Sequence, residues 1–226
     1  MKKYTWIFLL FVVSFFGYTQ QSETKYYTNE WLQKEVPQKK AKFAQIITRN
    51  ADSTLTTEVK DLKRNEIINS ETWKGNEPIG IWKNKTKQGY TTVNYNFPLI
   101  YSTSEENCIK STDIGIDDYF LDNDSLGYEA PLIKEGGLSF GSHIMSNITQ
   151  SKYLMENEIQ GRVFVRFSIS KEGNTENLVV FKGSNIFLEK EICRLLREIK
   201  YEKPPKLNGV PFSTPCFLIP FNIKIR

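Results

Sequence analysis

Histidine is nearly missing from this chain: His143 is the single imidazole in 226 residues, and cysteine and methionine number three each. Any Ser-His or Cys-His nucleophile pair would have to use His143. That residue sits between Ser142 and Ile144 in a stretch that reads as helix, with no nucleophile elbow around it. Metal centres are disfavoured for the same reason, since Cys108, Cys193 and Cys216 form no close Cys-x-x-Cys pair and one histidine cannot complete a ligand set. No glycine-rich phosphate loop is present, and neighbouring carboxylates such as Asp117-Asp118 occur in any chain and define no acid-base pair without a measured separation. The reading is therefore of a protein that is not an enzyme, with no catalytic residues, no metal and no cofactor. A bias of charge is also lacking: the formal +4 falls to +2 without Lys2 and Lys3, too weak to argue for nucleic acid. Nine prolines are scattered along the chain, and none of its stretches has the composition of a stiff extended arm.

Only one long apolar run exists. Met1-Lys2-Lys3 precedes Trp6 to Phe16, and Gly17-Tyr18-Thr19-Gln20 follows, the basic, apolar and small-or-polar order of a secretory leader. The run would span about 16 Å as a helix, against a hydrocarbon core of roughly 30 Å. A signal peptide over 1–19 and a periplasmic or secreted mature protein are expected, with no stable membrane span. An uncleaved leader acting as an inner-membrane anchor is the alternative. With no cysteine before Cys108, lipidation of a new N-terminal cysteine is not expected. In an oxidising compartment three cysteines permit one disulfide and one free thiol, or none, and their spacing does not choose.

After the leader, residues 24–48 mix Tyr26, Tyr27 and Trp31 with Lys39, Lys40 and Lys42, a pattern that strands or one short helix would satisfy. From Thr48, Thr, Val and Ile are dispersed among charges. Gly75-Asn76-Glu77-Pro78-Ile79-Gly80-Ile81-Trp82 supplies turn chemistry followed by an aromatic anchor, and Gly89-Tyr90 leads into alternating Val93, Tyr95 and Phe97. The Gly-x-x-Pro-x-Gly-x-Trp run resembles hairpin repeats of the MORN type. Residues 20–101 are read as a small antiparallel β-rich hairpin domain. Trp31, Trp73, Trp82 and Tyr90 are expected in its core, a binding face being the other use for them.

Residues 102–129 read as a linker rich in acidic and small residues. Leu121-Asp122-Asn123-Asp124-Ser125-Leu126-Gly127 lacks the glutamate at the twelfth position that a calcium loop requires, and is expected to be a surface loop.

The last stretch is the most patterned. From Arg162, Val163, Val165, Phe167 and Ile169 alternate with Phe164, Arg166 and Ser168, as in a half-buried strand. Lys171-Glu172-Gly173-Asn174 turns the chain into a partner strand at Leu178 to Phe181. Ser184-Asn185 offers an N-cap. Glu189 and Glu191 sit early and Arg194, Arg197 and Lys200 late in a helix whose apolar stripe is Leu188, Ile192, Leu195, Leu196 and Ile199, with Cys193 beside it. Pro204-Pro205 stops that helix, and Phe217, Ile219, Phe221, Ile223 and Ile225 then alternate with Leu218, Pro220, Asn222 and Lys224 as a third strand. Proline lacks a ladder donor, so Pro220 within this run argues for a sheet edge.

Three segments taken in order, Ile159 to Gly173, Tyr201 to Pro211 and Ile219 to Ile223, resemble the TonB C-terminal domain family. Ala130-Pro131-Leu132-Ile133 and a helix expected from Phe140 to Tyr153 resemble its lead-in. Tyr153-Leu154 stands where the family often has Tyr-Pro. The resemblance implies an α+β fold over 130–226, a three-stranded antiparallel sheet with packed helices, preceded by the β-rich domain. It further implies an energy-transducing role in which the last strand binds the TonB box peptide of an outer-membrane TonB-dependent transporter. Phe217, Leu218, Ile219, Pro220, Phe221, Asn222 and Ile223 would form that peptide-binding edge, since backbone pairing supplies affinity and alternate pockets supply selectivity. The alternative is a non-catalytic scaffold or envelope-interaction protein that uses the same edge to form a homodimer.

Overall fold

The computed structural model describes residues 20–103, 108–110, 127–133, 140–148 and 152–224. The leader, the acidic pairs Glu105-Glu106 and Asp117-Asp118, the run Leu121 to Leu126 and Ile225 lie outside the described residues. Six strands come first: β1 (Gln21–Tyr27), β2 (Phe43–Arg49), β3 (Thr54–Asp61), β4 (Glu66–Lys74), β5 (Glu77–Thr86) and β6 (Gly89–Asn94). They form one antiparallel sheet in sequence order. The stretch from Tyr26 to Ile47 is thus β1, a single 3-10 turn at Gln38–Lys40, and part of β2.

Turn chemistry explains the meander. Asp52 accepts from the Thr54 amide at 3.1 Å and its hydroxyl at 2.7 Å between β2 and β3. Asp61 accepts from the amides of Lys63 and Arg64 between β3 and β4. Gly75 at φ 60° makes the two-residue turn that sets Lys74 opposite Glu77. Within β5, Gly80 at φ 74° lies in a register shift against β4. The kink holds because the Trp82 indole donates to the carbonyls of Thr72 and Ile79, both at 3.1 Å.

The rest of the chain contributes β7 (Cys108–Lys110), β8 (Tyr128–Glu129), β9 (Leu132–Ile133), α1 (Phe140–Ile148), α2 (Lys152–Glu156), β10 (Gly161–Ile169), β11 (Thr175–Lys182), α3 (Ile186–Glu198), β12 (Tyr201–Lys203), β13 (Lys206–Leu207), β14 (Val210–Pro211) and β15 (Cys216–Ile223). Between Phe140 and Tyr153, where one helix was expected, α1 ends at Ile148 and α2 starts at Lys152, with 149–151 outside the described residues. The principal sheet runs β11-β10-β15-β7. The expected three strands are there, and a fourth, β7, pairs with β15 in parallel. It comes from the stretch read as a linker, as does β8, which pairs with β13. Periodicity cannot reveal a three-residue strand, and parallel partners are distant in sequence.

Helix α3 lies against this sheet. Asn185 caps it, accepting from the Phe187 and Leu188 amides at 2.9 and 3.1 Å. Its stripe of Leu188, Ile192, Leu195 and Leu196 is buried with Val163, Val165 and Phe167 of β10 and Ile219 and Phe221 of β15. Phe140 of α1 stacks on Phe167 at 5.7 Å and lies 6.3 Å from Phe221.

The opposite face of α3 is buried as well, contrary to its charged sequence. Glu189, Lys190 and Glu191 are 7%, 1% and 2% exposed. Their cover is the N-terminal sheet and the segment that leaves β6. Trp82 and Tyr95 belong to the same buried cluster as α3, with Trp73 packed against it. Phe187 lies 5.6 Å from Trp82, 5.7 Å from Trp73 and 4.5 Å from Tyr153. Trp73 and Trp82 therefore fill the junction of the two sheets. Trp31, at 57% exposure, departs from the expected core position, and Tyr90, 38% exposed, is held at the surface by Glu66 and the Ile67 carbonyl.

Candidate peptide-binding edge

Strand β15 pairs with β10 in regular antiparallel register, from Gly161 opposite Ile223 to Phe167 opposite Phe217. Which of its backbone groups face outward follows from the end of β10. The Ile169 carbonyl accepts from the Thr214 amide and the Ile169 amide donates to the Thr214 hydroxyl, both at 2.8 Å. Ile169 thus points its backbone toward the β15 segment, and so do Phe167, Val165 and Val163, two residues apart along the strand. Their partners Phe217, Ile219 and Phe221 turn their backbone inward. Leu218, Pro220 and Asn222 turn theirs outward, and so does Cys216 by the same alternation. The absent N–H of Pro220 falls on the outward side, where β10 loses no hydrogen bond.

Side chains sort in the same rhythm. Phe217, Ile219, Phe221 and Ile223 are 2–5% exposed and belong to the core beneath the helices. On the other face Asn222 is exposed and accepts through Oδ1 from the Arg162 guanidinium, which lies over the Phe164 ring.

Along this edge the expectation for residues 217 and 218 needs correction. Cys108, Ile109 and Lys110 of β7 stand opposite Cys216, Phe217 and Leu218, and Cys108 is disulfide-bonded to Cys216. Phe217 and Leu218 are flanked by a strand of the chain itself. Among the described residues no strand flanks Ile219 to Ile223, the remainder of the edge. The opposite edge of the sheet is also covered: the Val180 amide donates to the Ile100 carbonyl at 2.7 Å, and the Ser102 amide to the Val180 carbonyl at 3.2 Å. Sequence reasoning missed β7 although Cys108 was in view, because counting cysteines leaves their partners open.

The third cysteine, Cys193, is free and 3% exposed, and burial pushes its thiol up to about 12. Behind the edge, α3 carries a satisfied charge network. Arg194 forks onto Glu191 at 2.7 and 2.9 Å, and the Tyr95 hydroxyl donates to Glu191 at 2.7 Å. Burial, then the charge and hydrogen bond of Glu191, raises the Tyr95 hydroxyl far above its ordinary value. Burial also works against the Arg194 cation, but the hydrogen bonds and charge of Glu191 prevail and hold it above its ordinary value. His143 is buried on α1, in a cavity lined also by Ile133, Asn147, Arg194 and Leu195.

Fold and edge together define an α+β module whose last strand exposes part of its backbone. Residues 149–224, about a third of the chain, match the family described as Gram-negative bacterial TonB protein C-terminal. No curated protein and no solved structure matches the chain. No helix among the described residues is long and apolar enough to cross a membrane.

Proposed function

We propose that this chain is an exported, non-catalytic protein of the cell envelope whose C-terminal module captures an extended peptide by strand addition to β15. The peptide is the TonB box of an outer-membrane TonB-dependent transporter, and capture couples the protein to energy transduction for transmembrane transport. The observation that carries this reading is the outward-facing backbone of Pro220 and Asn222, flanked by no strand among the described residues, inside the segment similar to the TonB C-terminal family. Main-chain pairing at such an edge supplies affinity without a deep pocket. A periplasmic location, reached by way of the leader, completes the reading. The β-rich N-terminal sheet, with its MORN-like turn at Gly75 to Trp82, serves as a rigid platform behind α3.

The test is a titration of the chain from residue 20 onward with a synthetic TonB box peptide, followed by amide shifts and by mass in solution. Saturable shifts concentrated at Ile219 to Ile223 of a monomer are expected. A stable dimer that buries this edge and ignores the peptide would replace this reading with the self-associating scaffold.

A further inference from the structure

The edge is poor in donors while β7 stands on it. The outward amides of β15 are those of Cys216, Leu218 and Asn222, since Pro220 has none. β7 flanks the first two, and among the described residues no strand flanks Asn222. A peptide added beside Pro220 and Asn222 therefore meets one backbone donor, whereas the bare strand offers three.

β7 itself is a weak guest. It is three residues long, and parallel pairing is slightly less stable per residue than antiparallel. What fixes it is a covalent bond at the register pair Cys108 and Cys216, which replaces a long chain tether with a direct link and so raises the effective concentration of β7 at the edge. Both sulfur-bearing residues are only half-buried, within reach of a reductant.

We infer that β7 is a tethered plug on the peptide edge and that the Cys108–Cys216 disulfide is its latch: opening the bond releases β7, and an incoming extended peptide takes its place parallel to β15. This rests on the strand-addition reading and adds its regulation. The latch opens by exchange with an external dithiol. One thiolate of the reductant attacks a protein sulfur to form a mixed disulfide, and its second thiol resolves that intermediate. Two electrons and two protons pass to the protein, which gains two thiols while the reductant becomes a disulfide. Cys193 is no internal substitute, because it lies on α3 and is enclosed in the core.

The experiment compares the oxidised chain from residue 20, the same chain reduced with dithiothreitol, and the C108S/C216S variant. Amide hydrogen exchange at Leu218 is followed without peptide, and affinity for a synthetic TonB box peptide is measured alongside. Opening the bond is expected to speed Leu218 exchange at least tenfold. Peptide binding should tighten at least tenfold, about 1.4 kcal/mol, and the shifted amides should extend from Asn222 back to Cys216. Equal peptide affinity in oxidised and opened forms, or unchanged Leu218 exchange, overturns the latch while leaving strand addition intact. Failure of every form to bind removes strand addition and the latch with it. Ile109→Pro keeps the disulfide but deprives β7 of its central amide, which guards against misfolding of the double serine variant. It should bind like the opened form, and the affinity of the oxidised parent would overturn the proposal.

Discussion

Lys190 is the residue whose replacement tests the architecture most directly. It lies on the polar face of α3, yet it is 1% exposed, and its ammonium meets the Glu77 carboxylate of β5 at 2.8 Å. It also donates to the carbonyls of Tyr95, at 3.3 Å, and Phe97. Lys190→Met keeps much of the stem volume and removes the charge, leaving three acceptors without this donor. Breaking a buried pair from one side costs about 3–5 kcal/mol. The Glu77 side chain is 31% exposed and regains some water, so the low end applies, about 3 kcal/mol. For a chain of this length that lowers Tm by roughly 6–12 °C. Glu77→Gln should cost about 1 kcal/mol, because the ammonium keeps its two carbonyl acceptors. The double variant should then show a coupling of about 1 kcal/mol or more. Urea denaturation followed by tryptophan fluorescence is the assay, since Trp73 and Trp82 report on the same junction. If Lys190→Met stays within about 0.5 kcal/mol of the parent with an unchanged m-value, the polar face of α3 is not sealed by the N-terminal sheet.

Phe187→Ala empties the junction between Trp73, Trp82 and Tyr153, and should cost about 3–5 kcal/mol in thermal or urea unfolding; a loss under about 1 kcal/mol would show that the two sheets do not share a core. Asn185→Ala removes the acceptor of two α3 amides and should lower stability by about 1 kcal/mol, read as a Tm drop of roughly 2–4 °C. Alkali should destabilise the fold. The Cys193 thiol is raised by burial from 9.0 to about 12, so the folded chain holds this proton where the unfolded chain has lost it. Stability is full below pH 9 and falls as the pH rises from 9 toward 12, by about 1.4 kcal/mol per pH unit from this group. Tyr95, raised in the same direction, adds to the fall at the upper end. Urea midpoints across that range check this: Cys193→Ala should flatten the profile between pH 9 and 10, below the ordinary range of Tyr95, and a parent profile already flat there would refute it.

Much of the C-terminal module was legible because its signals are local. Alternation from Val163 to Ile169 and from Phe217 to Ile223 reports a pleat with one buried face, Asn185 announces the start of α3, and Pro220 marks a side of β15 that owes no donor to a neighbour. The hairpins of the N-terminal sheet were readable at Gly75 and Gly89 for the same reason. Three features were beyond the reach of the chain order. The charged face of α3 reads as solvated, because a helix pattern carries no record of a second layer bringing Glu77, Tyr95 and Tyr101 to meet it. The aromatic residues Trp73 and Trp82 read as the interior of one domain and turned out to join two sheets. The pairing of Cys108 with Cys216, and with it the strand that shortens the open edge, depends on a contact between residues 108 positions apart. Local sequence determined the strands, the helix and its cap; which strand lies beside β15, and what covers α3, was decided only when the layers packed.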